Sequence, residues 1–456
     1  MMRSVARLTL SGFLTLVAVG CAPRPPAPPT AIVVITLDTT RADRLTPYGF
    51  MSASMPSLDR LAREGVLFDQ AISVAPLTVP AHASILTGLL PPSHGLRDNN
   101  ATPLRPEHVT LAESLKDRGF HTAAFVGASV LARDRGLDQG FDRYDEISPA
   151  SLAAGSHDRP AGAVIDAALE WLEHVDGRPF FLWVHLYDAH RPYAPPEPFA
   201  SQYAHDPYLG EIAYTDSEIG RLLIALDRLP PARSLVVVAG DHGESLGEHG
   251  ERDHGIFVYE NVTRVPLIVR APSIAPRRVG AVVSLTDIAP TTLALAGLPI
   301  PPMDGVSRVD VMRGGPTEEE AYSESHYPVQ FGWSPLRALR DGRYKLIDAP
   351  RPELYDLAND PHEANNLYRE RPALAGAMRR RLDQLTGQSD SRVAASAETD
   401  VDSGVRQRLA ALGYVSRVRG STNHNRPAPD PKDCIDLIEA QNPTRPSAHK
   451  RPTAGC

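Results

Sequence analysis

Cysteine is nearly missing from this chain. Of 456 residues only Cys21, Cys434 and Cys456 are cysteine, and the stretch from residue 31 to 430 has none. That excludes a disulfide framework as what holds the body together, even in an oxidising compartment. Long apolar runs are missing too: the run Leu8–Gly20 falls short of the ~20 residues that a membrane-spanning helix needs. Positive charge is not in surplus, with 47 Lys and Arg against 55 Asp and Glu and a net charge of −8. Without a basic stripe, nucleic acid is excluded as a partner. No internal repeat is present.

What is present begins at the N-terminus. Arg3 and Arg7 precede the apolar run, which ends in Ala18-Val19-Gly20-Cys21. Basic, then apolar, then small residues make an export signal. The small residue before the cysteine is similar to a bacterial lipobox, with Met1–Gly20 removed and Cys21 lipidated. A plain secretory signal with a chance cysteine is the other reading, and both export the protein. The segment 21–30 carries five prolines and reads as a stiff, extended spacer. The expected location is the bacterial cell envelope, with membrane attachment through Cys21.

With 42% hydrophobic residues, the chain is long enough for one large core and a smaller one. AIVVITL from Ala31 is a continuous, β-branched apolar run, the mark of a strand buried on both faces. An amphipathic helix before Gly65, a strand from Val66 and a helix from Thr78 follow. Further strands over HTAAFV, FFLWVHL and SLVVVAG are separated by helices. Such alternation predicts an α/β fold with a mostly parallel central sheet between helices. After Pro301, Pro302 and Gly305 the segments shorten and mix in polarity. The expected division is 31–300 for the main α/β domain, 301–390 for a smaller C-terminal α+β subdomain, and 391–456 for a mobile linker and disordered tail. VRQRLAALGYV reads as a short helix within that last segment.

Ligands of an open α/β sheet gather at the carboxyl ends of its strands. Asp38 ends the first strand, and Asp241 and His242 end SLVVVAG. Two carboxylates and an imidazole suit one divalent cation, Zn or Mn; helix capping is the alternative for a single aspartate. Thr78 precedes Val79-Pro80-Ala81-His82 at a helix start. It reads either as an N-cap or as an alcohol that a bound cation activates to attack phosphorus or sulfur. The helix N-terminus favours an anion at that place. HLYDAH supplies His185, Asp188 and His190, and RDHGIF supplies His254. Histidines there donate to non-bridging oxygens or protonate a leaving group, with a surface or structural role as the alternative.

Taken in order, several segments resemble the sulfatase family within the alkaline phosphatase superfamily. They are VVITLDTTRADRLTPYG, APLTVPAHASILTGLLPPSHGLRDN, FLWVHLYDAHRPYAPP, AGDHGESLGEHG, RVPLIVRAP and ALRDGRYKLID with PELYDLANDPHEANNL. The resemblance implies a metal-dependent α/β hydrolase with a C-terminal four-stranded antiparallel sheet. It implies Asp38, Asp241 and His242 as metal ligands and Thr78 as nucleophile and ligand. His190 falls beside the substrate's oxyanion, and His254 falls where many members have a lysine.

The departures matter as much. Sulfatases begin their nucleophile motif with Cys or Ser before x-P-S-R and convert it to formylglycine. Threonine cannot be so converted. T-V-P-A-H is similar instead to the nucleotide pyrophosphatase/phosphodiesterase branch and to phosphoethanolamine and phosphoglycerol transferases. Thr39 replaces the second aspartate of the family's pair and disfavours calcium. His82 replaces the family arginine, either touching nucleophile or substrate or packing within the helix. One cation is expected; a second would recruit Asp188, His190 and His254. LGYVSR and DPKDCIDLIEA are similar to a linker and first helix leading into helical repeats. The function expected is an exported hydrolase or transferase for phosphate, ahead of sulfate, esters of a small molecule, lipid or polysaccharide. The alternatives are a genuine sulfuric ester hydrolase and an inactive, surface-anchored binding lipoprotein.

Overall fold

The computed structural model describes residues 28–153, 158–228, 234–272, 274–316, 320–390 and 428–441. The export signal, Cys21, most of the proline-rich spacer and the helix expected over 405–415 lie outside the described residues. Among the described residues no helix is long and apolar enough to cross a membrane.

Eight strands form the main sheet: β1 (Ala31–Leu37), β2 (Val66–Ile72), β3 (His121–Val126), β4 (Arg143–Asp145), β5 (Phe180–Leu186), β6 (Ser234–Gly240), β7 (Arg264–Arg270) and β8 (Arg277–Ser284). Their order is β4-β3-β5-β1-β6-β7-β2-β8. Every pairing is parallel except those of β7, which runs antiparallel to β6 and to β2.

Helices cover both faces. The ones that matter here are α1 (Pro56–Glu64), α2 (Thr78–Thr87), α3 (Ala161–Leu172), α4 (Pro207–Leu226) and α5 (Ile288–Leu295). Alternate residues of β1 point to opposite sides. Ile32 and Val34 share a core with α2 and α5, through Val79, Ile85, Ile288 and Leu293. Val33, Ile35 and Leu37 share the other with Leu58 of α1, Val164 of α3 and Leu222 of α4. Burial on both faces is why β1 reads as an unbroken apolar run.

A second sheet of β9 (Glu320–Ser325), β10 (Leu336–Asp341), β11 (Tyr344–Asp348) and β12 (Glu353–Asp356) is antiparallel, in the order β12-β11-β10-β9. Helix α6 (Pro372–Asp390) packs Ala375, Met378 and Leu382 against Leu339, Leu346 and Leu354.

Pro431–Gln441 is a helix, α7, as the resemblance of DPKDCIDLIEA to a first helix implies; what needs correction is its place in a disordered tail, because it docks on the body. Cys434 and Ile435 are buried in the core that also holds Trp333, and Lys432 pairs with Glu353. Asp430 accepts from the Arg351 N–H at 2.9 Å. The polar, proline-rich flanks dominated the composition and hid an apolar pair with charged residues placed to dock it. Cys434 is disulfide-bonded.

The fold places the site by register. β5, β1 and β6 are adjacent and parallel, with Leu37 opposite both Leu186 and Gly240. Their carboxyl ends therefore emerge side by side.

Candidate active site

Asp38 follows β1, and Asp241 and His242 follow β6. The Asp38 N–H donates to the Leu186 carbonyl at 3.0 Å and the Asp241 N–H to the Leu37 carbonyl at 3.1 Å. Each ladder thus extends one residue past its strand and fixes a carboxylate at the sheet rim. The turn that follows requires glycine: a Cβ on Gly243 would lie 2.1 Å from the Asn261 carbonyl oxygen.

Asp38, Asp241 and His242 are fully buried and offer ligand atoms within 4.8 Å of one another. His242 Nε2 stands 3.6 Å from Asp38 Oδ1 and 3.6 Å from Asp241 Oδ2. Asp241 Oδ1 accepts the backbone N–H groups of Thr39 (3.2 Å) and His242 (2.6 Å). Both oxygens of Asp38 and Oδ2 of Asp241 are buried with no hydrogen-bond partner. Burial pushes both carboxyls up from the usual range, and the Asp38 charge pushes Asp241 further. Burial likewise pushes the His242 imidazole down, keeping it neutral. Two desolvated acids with orphaned oxygens beside a neutral imidazole are costly alone and fit a divalent cation.

Thr39 does not join them. It sits at φ +46°, a conformation uncommon for a β-branched residue, and its hydroxyl donates to the Ala189 carbonyl at 2.7 Å.

Thr78 is the first residue of α2, and Leu77, which has no capping side chain, occupies the N-cap. The capping explanation of Thr78 is thereby removed. Its Oγ1 lies 3.4 Å from His242 Nε2 instead. The cap comes from a residue the sequence reading missed. Asn99 Oδ1 accepts the Val79 N–H at 2.9 Å, while its Nδ2 is buried without a partner. An asparagine in a loop carries no sequence signal of that role.

His82 lies behind the threonine, fully buried. Its Nδ1–H donates to the Thr78 carbonyl at 2.7 Å and is 3.6 Å from Asp241 Oδ2. Burial and the neighbouring His185 push it down to about 3. It touches the nucleophile's backbone from within the helix packing, so it supports Thr78 from behind. His185 is equally buried, with Nε2 at 3.4 Å from Asp38 Oδ2.

His190 and His254 come together on the other side, ring centroids 5.1 Å apart, and His254 is 4.5 Å from the His242 ring. The His190 Nδ1–H faces the Arg191 carbonyl at 2.7 Å and the Tyr187 hydroxyl oxygen at 2.8 Å. His254 Nδ1 sits 3.2 Å from Glu244 Oε1 and 3.2 Å from Asp253 Oδ1. Glu244, Asp253 and His254 form a second group able to hold a cation. Neither acid was singled out in the sequence, because each lies in a loop rich in charge. Burial raises Glu244 to about 7, opposed by His254 and by the Tyr193 hydroxyl that donates to it at 2.8 Å. Asp188 is elsewhere: its Oδ2 accepts the Ala161 N–H at 2.6 Å, at the start of α3.

The sequence matches the family model described as Sulfatase over residues 30–298, and the one described as N-sulphoglucosamine sulphohydrolase, C-terminal, over residues 247–388. It is 26% identical over 414 residues to the uncharacterized sulfatase YidJ of Escherichia coli (strain K12), covering 74% of this chain and 83% of that one. A solved structure in complex with its substrate D-glucosamine-2-N,6-O-disulfate superposes with a TM-score of 0.69 at 23% identity, over 80% of this chain and 98% of the other. The phosphonate monoester hydrolase of Agrobacterium radiobacter superposes with a TM-score of 0.68 at 22% identity, over 79% and 96%. At those identities the structural likeness establishes the fold.

Proposed function

This chain belongs to the sulfatase family, and from that premise we propose that it cleaves or transfers phosphate esters in preference to sulfate esters, with Thr78 as the attacking group. One observation carries the reading: the Thr78 hydroxyl stands at a helix start that Asn99 caps in its place, 3.4 Å from His242 Nε2. A Zn or Mn ion held by Asp38, Asp241 and His242 would supply a Lewis acid and lower the pKa of an alcohol beside it.

The chain's own residues do the rest. Thr78 Oγ1 forms a bond to phosphorus as the ester P–O bond breaks, leaving a phosphothreonine and an alcohol. The buried Asn99 amide, whose Nδ2 has no partner beside the N-terminus of α2, is placed to bind a non-bridging oxygen. His254, gripped between Glu244 and Asp253, and His190 are the groups placed to give the departing oxygen its proton. A second in-line attack, by water or by an acceptor alcohol, then releases Thr78. The same site thus serves hydrolysis or transfer. Threonine lacks the aldehyde hydrate that formylglycine offers, so a bound sulfuryl group has no such route out.

The test compares an aryl phosphodiester, an aryl phosphomonoester and an aryl sulfate. Phosphate turnover should dominate, and Thr78→Ala should reduce it roughly 10³-fold or more. Dominant aryl sulfate turnover, abolished by Thr78→Ala, would reverse the stated preference. A purified protein that holds no divalent ion and turns over none of the three would be a binding protein.

A further inference from the structure

β1 carries a single polar residue, Thr36, amid Ala, Ile, Val and Leu. It is fully buried, and its hydroxyl oxygen has three partners. The Trp183 Nε1–H donates to it at 3.0 Å. His82 Nε2 lies at 2.9 Å and His185 Nδ1 at 3.2 Å. A hydroxyl has one proton and two lone pairs. It therefore accepts from Trp183, donates to one imidazole and accepts from the other, with nothing left over.

Each imidazole spends its second nitrogen at the site. His82 Nδ1–H is committed to the Thr78 carbonyl at 2.7 Å. A neutral ring then accepts the Thr36 proton on Nε2, and His185 must donate to Thr36 from Nδ1. His185 consequently turns a bare Nε2 toward Asp38 Oδ2, 3.4 Å away, and neither atom has another partner. Two acceptors face to face are tolerated when a cation lies close by. The two rings also meet edge to face, 4.7 Å apart, so neither moves without the other.

We propose that Thr36 is a positioning residue for the reaction. Its hydroxyl locks His82 beneath the nucleophile and His185 beside the cation's carboxylate, and so holds Thr78 and Asp38 at one spacing. The proposal rests on the function proposed above. The oxygen also accepts the buried Trp183 Nε1–H, a structural duty that a hydroxyl deletion would show in Tm, so the positioning role is read from manganese affinity and kcat.

The experiment uses Thr36→Val, which keeps the shape and deletes the hydroxyl, and Thr36→Ser, which restores it. Manganese affinity is read by titration, kcat and KM with whichever ester the wild type turns over, and Tm by calorimetry. Thr36→Val should weaken manganese binding about tenfold or more. It should lower kcat about 10²-fold with KM changed less than about twofold. Thr36→Ser should lie within about threefold of wild type in both. A Thr36→Val protein with wild-type manganese affinity and kcat, whatever its Tm, overturns the proposal. A wild type that turns over no ester defeats the functional reading, while the manganese arm still decides the role of Thr36. Independently of any variant, imidazole 15N shifts of the wild type should show the Nδ1–H tautomer at both His82 and His185. An Nε2–H tautomer at either ring overturns the arrangement.

Discussion

The residue that best shows what the site demands is Asp241. Its two oxygens have separate duties. Oδ1 accepts two backbone N–H groups and shapes the turn, while Oδ2 is buried without a partner. Asp241→Asn separates them, because an amide oxygen can keep the turn while an NH2 group cannot ligate a cation. The variant should fold, hold far less divalent metal than wild type by elemental analysis, and lose the thermal stabilisation that added Zn or Mn gives. A wild-type metal stoichiometry in Asp241→Asn would remove this residue from the ligand set. Asp38, Thr78, Asp241 and His242 were legible in the sequence because each stands at an abrupt change from an apolar run or helix start to a polar side chain. Thr36 was not, since a threonine within a strand reads as one more β-branched residue. Its partners are far off along the chain, with Thr36 and His185 separated by 149 positions, and no local pattern joins them.

At the scale of elements, α4 does more than cover the sheet. Asp206 caps it by accepting the Leu209 N–H at 3.1 Å, and its buried face carries polar side chains that hold the site loops. Tyr208 donates to the Thr39 carbonyl at 2.7 Å, and Thr215 donates to the Asp188 carbonyl at 3.0 Å. Asp216 accepts the first N–H groups of α1 at 3.1 and 2.8 Å. Glu211 accepts the Ala194 N–H at 2.6 Å, just beyond His190. The helix itself was legible from its period; these inward polar groups were not, because a helical pattern does not say which loops run past it. Burial raises Glu211 to about 8, only partly offset by the Ala194 N–H. The folded state therefore holds a proton there that the unfolded chain releases near pH 4.5. The contribution of Glu211 is intact below about pH 4.5 and lost as pH rises toward 8. Glu211→Gln keeps the acceptor and removes the titration. Its Tm should match wild type at pH 5 and exceed it at pH 8 by about a few degrees. A Tm difference that does not change with pH would show that Glu211 titrates normally.

Across the whole molecule, the alternating apolar segments announced a parallel sheet, yet they could not announce the reversal of β7. RVPLIVR has the same pattern in either direction, and the connection from β6 through the loop that carries His254 holds only two short helical turns, not the longer helix that carries a chain over to a parallel strand. That loop ends at Glu260, where the smaller sheet grips the larger domain. Lys345 of β11 is 1% exposed, with Nζ at 3.1 Å from Glu260 Oε1, 3.1 Å from Glu363 Oε1 and 3.3 Å from Thr263 Oγ1. The Glu260 N–H in turn donates to Glu363 Oε2 at 2.6 Å. One ammonium thus bridges two acids, one from each unit. Burial and the Glu260 charge hold Glu363 up at about 7 despite the lysine. Arg340 also approaches Glu260, at 3.7 Å, so losing the lysine strands Glu363 above all. Lys345→Met should destabilise the protein by about 3–5 kcal/mol in urea unfolding, the usual cost of stranding a buried charge. Adding Glu363→Gln removes one stranded acid and should recover part of that loss, because the two substitutions share one network. If Lys345→Met unfolds at the wild-type urea concentration, the joint is held by apolar packing and the ion cluster contributes nothing. If the second substitution deepens the loss, the Glu363 carboxylate matters for its bond to the Glu260 N–H rather than for its charge.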